Sequence, residues 1–257
     1  MTQQARAFDL VTMPIEGIAA YWLSLHRLVA GKKSFDGIIH EADAAAEPFS
    51  AYLLDIAFFS GFDDDEVLRL ADKRARNYLG ILKRRLELMR ICILDINNGE
   101  NPRRTYTRMA ALFPVMPVSA GDAMETAQSL LKSIAPKGKA PRDGEPELPS
   151  IPNVSHQQRE EELIAHLLFY VLLARRHSKM AVRPLLQGVG SRFFADGAML
   201  SIDGFDDAFV RRWLKAHKEA LLEDARRKME LSALMAQAVR GRKDYNDAYR
   251  IARAFLR

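Results

Sequence analysis

Cysteine is almost missing from this chain. A single thiol, Cys92, among 257 residues excludes an intrachain disulfide and any cysteine cage for zinc. It stands among the apolar residues of Met89–Ile93, a stretch broken only by Arg90, and reads as a small buried hydrophobe rather than a nucleophile. Long apolar runs are missing too. Ile15–Val29 is interrupted by Glu16, His26 and Arg27, and Leu163–Ala174 is too short to cross a bilayer, so no integral membrane segment is expected. Met1–Leu10 has one basic residue and lacks the apolar centre of a secretory leader, so a cytoplasmic location is expected. Docking onto a membrane complex stays open.

Catalytic signatures are also lacking. There is no Gly-x-Ser-x-Gly elbow and no His-Glu-x-x-His helix. Gly188-Val189-Gly190-Ser191 resembles part of a phosphate loop but lacks the Gly-Lys-Ser/Thr ending. His166 and His177 are three helical turns apart, and Glu162 and His166 stand at i,i+4 rather than the i,i+3 of di-iron bundles. No metal and no cofactor are therefore expected, and a non-enzyme is favoured over an enzyme.

Strand alternation is nearly absent, whereas helix punctuation is frequent, so the chain reads as all-α. Pro14 and Gly31 bound a first helix, and Ser34 can cap a second through Ala46. Phe49–Ser60 forms a short apolar helix stopped by Gly61. The acids Asp63, Asp64, Asp65 and Glu66 open a long helix to about Ile96, closed by Asn97-Asn98-Gly99. Asn101-Pro102 starts a helix to Phe113, and Ser119 or Asp122 starts another to Ile134. In the second half, Ser155 is expected to cap a helix to about Lys179. Met180–Phe194 reads as helix disturbed by Pro184, and Ala195–Phe205 as a turn-rich stretch. Asp206–Val239 and a last helix capped by Asp244 or Asn246 complete the chain.

The strongest pattern is a repeat. Gly61-Phe62-Asp63-Asp64 recurs as Gly204-Phe205-Asp206-Asp207, and the match runs without a gap to the last residue. Lys83–Leu88 meets Arg226–Leu231, and Tyr106 meets Tyr249. Identity holds at 12 of 54 aligned positions, which favours an internal duplication of two helical bundles, each with one long charged helix. The expected organisation is a unit at 1–134, a flexible linker at 135–153 and a related unit at 154–257. The linker holds five prolines and two glycines and shows no apolar period. Each long helix spans about 50 Å at 1.5 Å per residue, long enough to leave a charged stripe exposed.

Charge supplies the candidate binding residues. The net charge is +5, and residues 204–257 hold 13 basic against 8 acidic side chains, so the excess lies in the C-terminal helices. That balance favours acidic partners but falls short of a nucleic-acid arm. The triplets Lys83-Arg84-Arg85 and Arg226-Arg227-Lys228 occupy equivalent repeat positions. They form either an anion-gripping pair or solvated faces balanced by Glu87, Asp224 and Glu230. Arg240, Arg242, Lys243, Arg250, Arg253 and Arg257, with Tyr245 and Tyr249 among them, form a second candidate surface. The Asp-rich turns lack the alternating ligands of a calcium loop and suit helix capping. The expected function is a helical adaptor or structural subunit of a cytoplasmic assembly, with a protein partner or a second copy bound through these residues. The alternative is nucleic-acid binding through the basic C-terminal region.

Overall fold

A computed structural model describes residues 9–134 and 152–256, apart from 33, 36, 37 and 39–46. Among the described residues the fold is all-helical and holds no strand. Most of the expected helix at 34–46 and most of the linker at 135–153 lie outside the described residues.

The α-helices are α1 (Ile15–Val29), α2 (Pro48–Phe58), α3 (Asp64–Asn98), α4 (Pro102–Ala110), α5 (Ala120–Ile134), α6 (Glu160–His177), α7 (Arg192–Ile202), α8 (Asp207–Arg240) and α9 (Tyr245–Phe255). A 3₁₀ helix, Lys179–Gly188, separates α6 from α7 and accommodates Pro184. The elements begin where side chains can satisfy the first free amides. Asp63 Oδ1 accepts the Glu66 amide at 2.8 Å, and Asp206 Oδ1 accepts the Phe209 amide at 2.9 Å. Both Asp-rich turns thus cap their helices, and Phe205 stacks on Phe209 at 5.0 Å. Asn101 and Asp244 cap α4 and α9 in the same way. Gly61 and Gly204, at φ +70° and +86°, make the sharp entries to the long helices in a conformation that a Cβ would strain.

Two expectations fail for local reasons. The helix assigned to Ser155 begins instead at Glu160. Ser155 Oγ accepts the Gln157 amide at 3.2 Å, so the serine closes a turn. The stretch expected to be turn-rich, 195–205, lies mostly in α7, which Ser191 caps through the Phe194 amide. Gly197 within α7 serves close packing: a Cβ there would stand 2.7 Å from Leu214 Cδ2 and 2.8 Å from Ile93 Cδ1.

The chain forms two compact units. Unit 1 comprises Met1–Ile81 with Ala220–Arg257, and unit 2 comprises Leu82–Glu219. The division falls inside α3 and inside α8. In unit 1, Trp22, Leu25, Phe49, Leu53 and Val67 are buried along with Leu231, Met235 and Val239. α1 packs against α9, whose Ala248 and Ala252 allow close approach. In unit 2, α6 is buried from Leu163 to Ala174 except at His166, and packs against α4 and α5. Cys92 is buried there and donates to the Leu167 carbonyl at 3.2 Å. Burial, with the nearby Asp95 charge, pushes its thiol well above the usual value.

Each unit carries similar local features at a nearly constant spacing. At an offset of 143, set by Asp64 and Asp207, Gly99 corresponds to Arg242, and both adopt left-handed backbone at φ +60° and +49°. Glu100 N donates to Asp95 O at 2.9 Å, and Lys243 N donates to Ala238 O at 3.0 Å. These are the same helix-ending bond at corresponding positions. The buried set Ile18, Trp22, Leu25 and Val29 of α1 has the spacing of Leu163, Leu167, Tyr170 and Ala174 of α6. In unit 2, Arg85 Nη1 donates to the His156 carbonyl at 2.5 Å, just before α6. In unit 1, Lys228 Nζ lies 3.4 Å from the Val11 carbonyl, just before α1.

Candidate functional site

The candidate cations divide into those committed to the fold and those left outward. Arg240, near the end of α8, is the clearest committed case. Its Nη2 donates to the Phe62 carbonyl, and its Nε lies 3.4 Å from Asp64 Oδ1. Gln237 reaches the Asp64 carbonyl from the same helix at 3.3 Å. Arg242 donates to the Lys32 carbonyl and lies 4.9 Å from the centre of the Phe35 ring. Arg227 donates to the Phe255 carbonyl at 3.1 Å, where a cation suits the negative end of α9. Tyr245 takes a hydrogen bond from Arg27 at 2.8 Å, and the guanidinium also covers its ring.

The basic triplets are similarly occupied. Arg84 pairs with Glu160 at 2.8 Å and lies over Phe113. Arg226 is held by Glu223 at 2.7 Å and by Glu230 at 3.2 Å. Lys228 is buried and paired with Asp224. Of the two readings of the triplets, solvated faces describe Lys83 and Arg226, while Arg85 and Lys228 are structural donors. Glu87 does not balance the first triplet. It pairs instead with Arg90 and with Lys218 at 2.6 Å. Burial raises its carboxyl, but the hydrogen bonds and charges of Arg90 and Lys218 outweigh that and hold it below the usual glutamate value.

What is left outward in unit 1 is one face of α9 and the turn before it. Tyr249 is 46% exposed, although a tyrosine ring has much to gain from cover. Arg250 and Arg253 stand beside it, one residue and one helical turn away. Arg250 keeps only an exposed contact with Asp247 at 3.2 Å, and Arg253 makes no ion pair among the described residues. Lys243 is exposed, while its carbonyl is bound by His26 Nε2 at 2.7 Å. The face therefore combines an uncovered aromatic ring with exposed cations on one helix.

The described histidines do not converge. His26 binds the Lys243 carbonyl, His166 Nδ1 lies 2.5 Å from the Asn153 carbonyl, and His217 stacks edge-on to Trp213 at 4.7 Å. His40 lies outside the described residues. Among the described residues, no group of three or more His, Cys, Asp or Glu side chains is placed to hold a metal, and no helix is long and apolar enough to cross a membrane.

One site was not legible as a candidate. In unit 2, Arg90 of α3 and Arg211, Arg212, Lys215, Lys218 and Glu219 of α8 line an open cleft of about 350 Å³. The α8 members share one helical stripe, with spacings of four, three and one, a signal present in the sequence. The approach of Arg90 from another helix is a tertiary fact. No known protein family, no curated protein and no solved structure matches the chain.

Proposed function

We propose that this chain is a non-catalytic helical adaptor or structural subunit of a cytoplasmic assembly. It binds an acidic protein partner through the outward face of α9. The observation that carries this reading is the division among the C-terminal basic residues. Arg227, Arg240 and Arg242 are spent on backbone carbonyls. Tyr249, Arg250 and Arg253 are left outward on one helix whose other face is fixed by Ala248 and Ala252. Tyrosine and arginine are the residues that contribute most when such a face is covered.

The same reading includes an internal duplication with exchanged halves. Repeat 1 supplies α1, α2 and the start of α3 to unit 1, and the end of α3 with α4 to unit 2. Repeat 2 supplies α6, α7 and the start of α8 to unit 2, and the end of α8 with α9 to unit 1. Support comes from the matched caps, the matched helix-ending bonds, and the paired donors Arg85 and Lys228. The α1–α9 packing of unit 1 also has its counterpart in the α6–α4 packing of unit 2. Under this reading 1–134 and 154–257 are sequence repeats, and each compact unit draws on both.

The test is purification from the native source at low salt, with nuclease treatment. A stoichiometric protein should remain with the wild-type chain after nuclease and leave as salt rises, because an exposed charged face is screened. It should be absent from Tyr249→Ala/Arg250→Ala/Arg253→Ala. Loss of all bound material on nuclease treatment, with a gel shift by the purified chain, would replace the adaptor with the nucleic-acid alternative.

A further inference from the structure

We infer that the cleft between α3 and α8 in unit 2 is a binding site for a small ligand carrying two or more phosphoryl groups. Its lining is cationic beyond what the fold consumes. Arg90 and Lys218 share one carboxylate, Glu87, with Arg90 Nε at 2.8 Å and Lys218 Nζ at 2.6 Å. Arg211 is held by Asp207 at 2.5 Å. Arg212 and Lys215 are exposed and make no ion pair among the described residues. Among the described lining residues Glu219 is the only acid, so five cations stand against Glu219, Glu87 and Asp207. The volume of about 350 Å³ lies at the lower end of small-ligand sites, and the opening leaves it accessible.

The positions are not required by the scaffold. This step rests on the duplication. At the 143-residue offset, Arg90, Arg211 and Lys218 correspond to Ala233, Leu68 and Ala75. Arg212, Lys215 and Glu219 correspond to Arg69, Asp72 and Arg76, where the charges pair locally: Arg69 with Glu66 at 3.0 Å, and Arg76 with Asp72 at 2.5 Å. The same architecture thus forms in unit 1 with its charges neutralised along the helix surface. In unit 2 the charges are gathered and left in excess. The arrangement suits phosphoryl oxygens in particular. Arg90 and Lys218, both partly buried, are held in place by Glu87, while Arg212 offers a planar fork and Lys215 a point charge.

The probe is inorganic pyrophosphate, titrated into the full chain by calorimetry and followed by amide chemical shifts. Orthophosphate, sulfate and a nucleoside diphosphate are run at matched ionic strength. One-site binding of pyrophosphate is expected, about tenfold or more tighter than sulfate, with shifts centred on 211–219 and on Arg90. Arg212→Ala/Lys215→Ala should weaken it about tenfold and leave thermal unfolding unchanged, since both are exposed and make no ion pair among the described residues. Equal binding of the nucleoside diphosphate assigns recognition to the phosphoryl groups alone, and tighter binding adds a contact with the nucleoside; both support the site. Arg250→Ala/Arg253→Ala should bind pyrophosphate normally, so failure of the α9 surface and failure of the cleft are separable. Binding no tighter than sulfate, shifts scattered over other basic surfaces, or an unaltered affinity in the double variant overturns the proposal. So does binding of duplex DNA that pyrophosphate does not compete away.

Discussion

Replacing Arg240 with alanine should lower the stability of the protein. The side chain is 24% exposed and joins the end of α8 to the entry of α3 within unit 1. Losing a charged donor to the Phe62 carbonyl costs about 1.5–3 kcal/mol by the usual behaviour of such bonds. The contact with Asp64, itself 60% exposed, adds at most about 1 kcal/mol. One opposing effect is internal: Nη1 is buried without a hydrogen-bond partner among the described residues, so its removal returns part of that cost. A net loss of about 1–3 kcal/mol follows, equivalent to roughly 2–10 °C in melting temperature for a chain of this size. Arg253→Ala, which removes an exposed cation without an ion partner, should stay within about 0.5 kcal/mol of wild type. Thermal and urea unfolding followed by helical circular dichroism measures both. Equal stability of the two variants would refute the division between structural and outward arginines.

Glycine substitutions should act with opposite signs. Gly197→Ala forces a Cβ against Leu214 and Ile93 and should cost about 1–3 kcal/mol, whereas Gly80→Ala, in open space inside α3, should stabilise by about 0.5–1 kcal/mol. Unfolding midpoints that move in the same direction would contradict the packing around α7. Acid should weaken unit 2 in two stages. Burial holds the His217 imidazole below its usual value against the opposing charge of Asp196, so stability declines as pH falls through about 6.5 and the loss is complete below the lowered folded value. Glu87, held low in the folded state, contributes stability above about pH 4.3 that disappears as pH falls through its lower folded value. His217→Phe should abolish only the first stage in melts between pH 8 and 3; a wild-type melt that is flat from pH 8 to 5.5 would count against it.

Much of the fold could be read in the residues because caps and glycines act locally. Gly61, Gly204, Asp63, Asp206 and Asp244 each stand where one backbone group needs them, and the helices begin or end there. Ser155 misled because serine closes a turn with the same oxygen that caps a helix, and only the following residues decide which. Gly197 misled because it answers a tertiary need, the approach of Leu214 and Ile93, rather than a turn. The candidate site was half legible. Tyr249, Arg250 and Arg253 are outward at the helical spacing expected of them. Arg240, Arg242, Arg227 and Lys228 belong to the same basic region, yet their carbonyl partners are distant in sequence and leave no local trace. The cleft lining has no local sequence signature because Arg90 lies over one hundred positions before the α8 stripe it joins.

In the proposed division only the outward face of α9 serves the partner, while the other C-terminal arginines hold the fold. The most direct test is the affinity of the co-purifying protein for wild type, for Tyr249→Ala/Arg250→Ala/Arg253→Ala and for Arg240→Ala, with melting temperatures recorded on the same samples. At least about a tenfold loss of affinity is expected for the triple variant at an unchanged melting temperature, and near-normal affinity for Arg240→Ala at a lowered one. A triple variant that binds as tightly as wild type would contradict it.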